Sequence, residues 1–342
     1  MIEPGSADCH RGRPRRARTP LLLSALAAVL GLAAATWLWD PYPATTQSFD
    51  RGLNGLWLGH QWFTGRNVRS KQAVGAKELT DLLRDLERYR IHYAYVHVGP
   101  IQADGSIADK AGELFHVLQR SAPDTVFYAW LGARVEKIDL NNPAWREEVV
   151  KTARALRNVG FAGVHFDLEP LRDWQPGYLV LLQSIRSELG HRFLISQATP
   201  RIGPFGWAGA PFGKNFWSKE FYLRSMDIAN QSVVMAYDTK IDFSKLYVAY
   251  VRQQTALLTR WGCKSPEHEV LIGVPSYEDN PAYSDPSVEN IANAALGVRA
   301  ALEAKEKDMP CFTGVSVYAQ WVTDSQEWKQ FEDYWLTAAK RQ

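Results

Sequence analysis

Neither sign of charge is in real excess here: 39 lysines and arginines stand against 37 acids, a formal +2. Even that small surplus is not spread along the chain. Arg11, Arg13, Arg15, Arg16 and Arg18 against Glu3 and Asp8 give the first twenty residues a net +3, which leaves −1 for the remainder. A body without a basic face excludes a nucleic-acid binder. No phosphate loop, zinc motif or dinucleotide fingerprint occurs, and the eight histidines are too scattered for a metal cage, so no cofactor is implied. Cysteine is scarce as well, with only Cys9, Cys263 and Cys311.

The chain is 342 residues long and 46% hydrophobic, enough for one large α/β barrel or two ordinary domains. Aromatic residues make up 12%, with 13 tryptophans, a content that suits sugar-stacking clefts and large cores alike.

After the basic tail, residues 1–19, comes an apolar run over residues 20–39, from Pro20 to Trp39, about the length that spans a bilayer. The arginines before it hold that end in the cytoplasm. Two fates compete: an uncleaved anchor, or a secretory signal cut near Ala33-Ala34-Ala35. The run continues through Trp37, Leu38 and Trp39, which favours the anchor. Either way the body is exported to the periplasm or beyond, with the membrane as a partner through this helix. Cys263 and Cys311 then lie where disulfides persist, each shortly before a neighbouring predicted strand; a bridge and two buried thiols are both compatible with that.

Residues 40–52 are turn-rich and read as a linker. Beyond them strands alternate with helices. Strands are expected at Gly55–His60, Tyr93–Val98, Val126–Leu131, Ala162–Leu168, Phe193–Ala198, Ser232–Tyr237, Val270–Val274 and Thr313–Tyr318. Helices are expected at Lys77–Arg90, Gly112–Arg120, Asn142–Asn158, Pro176–Leu189, Phe243–Trp261, Ser287–Lys305 and Gln326–Ala339, and Thr199–Lys219 as a long loop. Eight strands alternating with helices, with no dividing linker, predict a single (β/α)8 TIM barrel over residues 53–342.

The organising stretch is Gly160–Pro170, Gly-Phe-Ala-Gly-Val-His-Phe-Asp-Leu-Glu-Pro. In a strand His165, Asp167 and Glu169 share one face, about 7 Å apart at each step, while Val164, Phe166 and Leu168 take the other. Two close, buried carboxyls push one pKa upward and so make a general acid. Asp-x-Glu at a strand end also caps helices or meets an arginine, but in a barrel the carboxyl ends of the strands are where chemistry sits.

Four strand-end motifs in order give this chain its resemblance to glycoside hydrolase family 18, the chitinases and endo-β-N-acetylglucosaminidases, over about residues 53–340. The fourth-strand pattern Asp-x-x-Asp-x-Asp-x-Glu falls on Ala162, His165, Asp167 and Glu169. Met235-Ala-Tyr237-Asp238 matches the sixth-strand motif, Leu271-Ile-Gly-Val-Pro-Ser-Tyr277 the seventh, and Gly314-Val-Ser-Val-Tyr318 the eighth. The resemblance implies that Glu169 is the general acid/base. Asp167 would orient a 2-acetamido group whose oxygen attacks the anomeric carbon, a substrate-assisted route. Tyr237 would hydrogen-bond that oxygen and Asp238 would hold the sugar, with a glycan substrate as the partner.

Two family aspartates are replaced, by Ala162 and His165. His165 is expected either to hydrogen-bond Asp167 or to be a core residue. Met235, Tyr277 and Gln197 are expected to line the cleft, with Tyr318 or Trp321 as the sugar platform and His60, Trp62, His97 and Trp130 as further candidates. Three activities fit: a retaining glycosidase, a catalytically silent lectin-like barrel, and a glycosidase with Asp167 or Asp238 as true nucleophile. Retention of both Glu169 and Asp167 favours the first.

Overall fold

The structure is a computed structural model that describes residues 39–203, 216–265, 267–276, 285–305 and 309–340. The chain divides at Asp40, and the barrel belongs to the unit Pro41–Gln342. The expected membrane segment 20–39 lies, but for Trp39, outside the described residues; among those described, no helix is long and apolar enough to cross a membrane.

Eight parallel strands close into a barrel in chain order: β1 (Asn54–Leu58), β2 (Ile91–Pro100), β3 (Val126–Arg134), β4 (Gly163–Glu169), β5 (Leu194–Thr199), β6 (Gln231–Met235), β7 (Glu269–Pro275) and β8 (Phe312–Tyr318). Closure comes where Gly55 and Leu56 of β1 pair with Ser316 and Val317 of β8. Each strand is covered inside and out, so its residues are apolar or satisfied on both faces. On β4 the alternation is as the sequence implies: Val164, Phe166 and Leu168 join the outer core beneath the helices, and His165 faces the interior. Gly163 is dictated by packing, because a Cβ there would collide with the Leu194 carbonyl of β5. The interior is filled by Trp57, Tyr93, Tyr95, Tyr128, Trp130, Val233 and Leu271, the packed layers that make such barrels solid rather than hollow.

Helix ends follow local chemistry. Helix Pro143–Val159 starts at Asn142, whose side chain accepts from the Ala144 amide at 2.9 Å, with proline in its first turn. It stops at Gly160, which takes the left-handed φ of 110° that a side chain resists.

Three elements depart from expectation. A helix at Lys219–Met226, capped by Ser218, follows the β5 loop and buries Phe221, Tyr222 and Met226; residues 204–215 of that loop lie outside the described residues. A short helix, Gln61–Thr64, follows β1. The last helix is α only over Ser325–Phe331 and continues as a π-turn, Glu332–Leu336, which lets buried Trp335 donate its indole N–H to Asn54 Oδ1 at 2.9 Å. The turn-rich segment before β1 does not stand free. Buried Arg299 donates to the Thr45 carbonyl at 2.8 Å and to Lys340 at 2.7 Å, Glu303 accepts from the Ala44 amide, and Ser48 bonds Leu336.

Candidate active site

The carboxyl ends of β3, β4, β6 and β8 converge at the mouth. The β3–β4 register sets Gly132 beside Asp167 and Arg134 beside Glu169. Asp167 Oδ2 accepts the indole N–H of Trp130 at 3.0 Å, whereas Oδ1 is sealed from solvent and has no hydrogen-bond partner. Burial pushes this carboxyl above the usual range, and the Trp130 bond partly opposes that. Glu169 is reached by solvent but lies in the concave mouth, and its pKa is raised by desolvation first, then by the negative charges of Asp167 and Asp238. The cations Arg201 and Arg134 moderate the rise. The pair thus favours one shared state, with a proton on Glu169 beside an ionised Asp167.

Tyr237 is buried just beyond β6, its ring nearly parallel to that of Tyr318 at 5.6 Å. Tyr318 is the centre of an aromatic floor, meeting Trp57 at 5.3 Å, Trp130 at 6.2 Å and Trp321 at 5.8 Å. Trp321 is 45% exposed, its ring within 12° of parallel to Trp130. Asp238 follows Tyr237 in the left-handed region, φ 57°. Met235 ends β6, half-buried beside Gly273. From the floor, a cleft of about 750 Å³ runs out between Trp130, Trp321, His60, His97, Asp109 and Arg69. His60 bonds Asp109 at 2.9 Å and the His97 carbonyl at 2.9 Å, and burial lowers the His97 pKa to about 4.

Other expectations are corrected. His165 does not reach Asp167. It is fully buried, its Nε2 accepts from Trp57 Nε1 at 3.3 Å, and its Nδ1 therefore carries the hydrogen, donated to Ser196 Oγ at 2.8 Å. Burial holds its pKa down at about 3, so it is a neutral core residue and not a substrate contact. Ser196 and Tyr95 both donate to Gln231 Oε1 at 2.8 Å, and Gln231 and Tyr93 donate in turn to Glu269. These bonds form one directed chain, from Trp57 through His165, Ser196 and Gln231, that ends on the Glu269 carboxyl.

Gln197 is likewise not in the cleft. It faces the helices, accepting from Tyr178 at 2.9 Å and donating to Ser225 and Ser232. Trp62 is in the outer core, its indole bonded to Gln320. Tyr277 lies outside the described residues. Cys263 and Cys311 are joined by a disulfide. Sequence reasoning passed over Trp57 and Arg201; a bulky inward position on β1 and a cation two residues past β5 were the available signals.

No protein-family model matches the chain, and no curated protein matches it. Solved structures do match in fold. The spore cortex-lytic enzyme SleL of Bacillus megaterium QM B1551 aligns over 86% of this chain and 76% of its own, with 16% identity and a TM-score of 0.54. The Bacillus cereus SleL covers 83% and 74% at 11% identity, TM-score 0.55. A family GH18 chitinase from Chromobacterium violaceum covers 87% and 84% at 15% identity, TM-score 0.54. These likenesses establish the fold.

Proposed function

We propose that this chain is a retaining glycoside hydrolase of the chitinase kind, a divergent relative of family 18, that cleaves β-linked polysaccharide containing N-acetylglucosamine. The observation that carries the reading is Asp167: one carboxylate oxygen is held by Trp130, the other is buried without a partner, and the residue's charge raises the pKa of Glu169 two positions on. A buried, unpaired acceptor is costly unless something completes it, and a substrate acetamido N–H has the matching chemistry.

With that N–H on Asp167 Oδ1, the acetamido oxygen is turned towards the anomeric carbon. Glu169 gives its proton to the glycosidic oxygen as the C–O bond breaks and the acetamido oxygen bonds to carbon. Asp167 stabilises the positive charge that develops on the resulting ring. Glu169, now anionic, takes a proton from the water that opens this intermediate, and configuration is retained. Tyr237 donates to the acetamido oxygen, Asp238 holds the sugar, and Tyr318 with Trp321 forms the platform.

The strand-end motifs support this, as does fold similarity to a chitinase and to spore cortex-lytic enzymes. The two carboxyl environments speak against a silent glycan-binding barrel, which has no use for a raised acid. The Cys263–Cys311 disulfide suits a compartment outside the cytoplasm, and with it the reading of residues 20–39 as an anchor after a basic tail.

The test is hydrolysis of β-N-acetylglucosaminide oligomers beside acetamido-free glycosides, wild type against Glu169→Gln. Only the acetamido substrates should turn over, and the variant should lose about 10³-fold or more in kcat while still binding them. Turnover of both substrate classes, or an active variant, counts against the mechanism.

A further inference from the structure

The turn after β6 places Tyr237 and Asp238, yet what holds it comes from other elements. Arg201, on the segment leaving β5, donates from Nη1 to the Tyr237 carbonyl at 2.8 Å. Glu289, 2% exposed on the segment before helix Ile291–Lys305, accepts from the Thr239 amide at 2.9 Å and from the Thr239 hydroxyl. Between these two attachments Asp238 sits at φ 57°, a left-handed conformation that is uncommon for a non-glycine residue and is held by its surroundings. Neither residue belongs to a strand-end motif or to the proposed acid and its partner.

We propose that Arg201 and Glu289 are positioning residues that clamp the Tyr237–Asp238–Thr239 turn at its two ends, fixing where the Tyr237 hydroxyl and the Asp238 carboxylate meet the sugar. The proposal rests on the glycosidase reading of the mouth. The two clamp residues are of opposite charge. Arg201 lies close enough to pull down the carboxyls of both Glu289 and Glu169, although burial raises each. One guanidinium therefore does two things: its hydrogen bond orients the turn, and its charge moderates the acid. The groups facing Glu169 are Asp167 from β4, Asp238 from the turn, Arg201 from after β5, Arg134 from β3 and Tyr318 from β8.

The experiment compares Arg201→Gln, Arg201→Lys and Glu289→Gln with wild type by pH–rate profiles and by amide hydrogen exchange of the peptide spanning residues 236–240. Displacing the turn by about 1 Å should cost on the order of 10²-fold in kcat for Arg201→Gln, with KM altered by less than about threefold. The basic limb of its profile should move to higher pH, because a cation facing Glu169 has gone. Arg201→Lys should restore that limb, and Glu289→Gln should lower kcat with the limb in place. Both neutral variants should exchange faster over residues 236–240. In Arg201→Gln, wild-type exchange over residues 236–240, or reduced kcat with the basic limb unmoved, overturns the proposal. If wild type hydrolyses no acetamido substrate, the glycosidase reading fails on its own, and hydrogen exchange still decides the clamp.

Discussion

Asp167 has two oxygens in different circumstances, and the difference sets a pH dependence. Trp130 donates to one of them and so favours the ionised form, against burial that disfavours it. The proposed mechanism needs Asp167 ionised and Glu169 protonated, so activity should rise as the first loses its proton and fall as the second does, with both limbs belonging to the pair. Both carboxyls are shifted upward, so the active window sits above that of ordinary carboxylates. Replacing Trp130 with phenylalanine keeps an aromatic ring, though a smaller one, and deletes the N–H. Asp167 then loses its stabilising donor, its pKa rises further, and the acid limb should move to higher pH while the basic limb stays. Stopped-time assays across pH would check this, and an acid limb that moves down or not at all counts against the assigned role of the indole.

Among the elements, the disulfide belongs to the end of the barrel away from the chemistry. Cys263 follows helix Ser244–Gly262 and Cys311 precedes β8, so the bridge closes a 48-residue separation at the amino ends of the strands. Closing a loop of that size constrains the unfolded chain by about 4 kcal/mol in the entropic account. Cys263→Ser with Cys311→Ser should lower unfolding free energy by up to that amount in urea titrations and leave kcat within about twofold. Loss of turnover in a folded double variant would contradict the separation of stability from site.

Elements were also what the sequence made most legible. Alternation fixed which face of β4 carries Asp167 and Glu169, and Asn142-Pro143 with Gly160 marked both ends of a helix, because those signals are local. Gln197 was misread, and the two readings of His165 stayed open, for the converse reason. Each finds its partners across the fold, Gln197 on two helices and the next strand, His165 on Trp57, 108 residues earlier. Strand periodicity gives a side chain's face, but not what waits there. The helical period could not foretell the π-turn at Glu332–Leu336, since five residues are too few to set one helical period apart from another.

At the scale of the whole molecule, buried neutral histidines make the barrel acid-sensitive. His165 is held near pKa 3, and His97 and His268 at about 4, by burial. Unfolded, they titrate near about 6.5, so below that pH the unfolded chain binds more protons and stability falls by about 1.4 kcal/mol per pH unit for each histidine. Asp167 and Glu169 act in the opposite sense, since their raised pKa values keep protons on the folded state. Glu169→Gln removes the larger opposing group. In that variant the unfolding free energy should be on the order of 4 kcal/mol lower at pH 5 than at pH 7, and a flat or rising value would refute the neutral histidines. The fastening of residues 44–48 by Arg299, Glu303 and Ser48 has a mechanical side. Tension drawn through the chain at residue 41 is borne by helix Ile291–Lys305 and the C-terminal segment before any reaches β1, so the barrel can be tugged from its amino end without flexing the strand ends that hold the carboxyls.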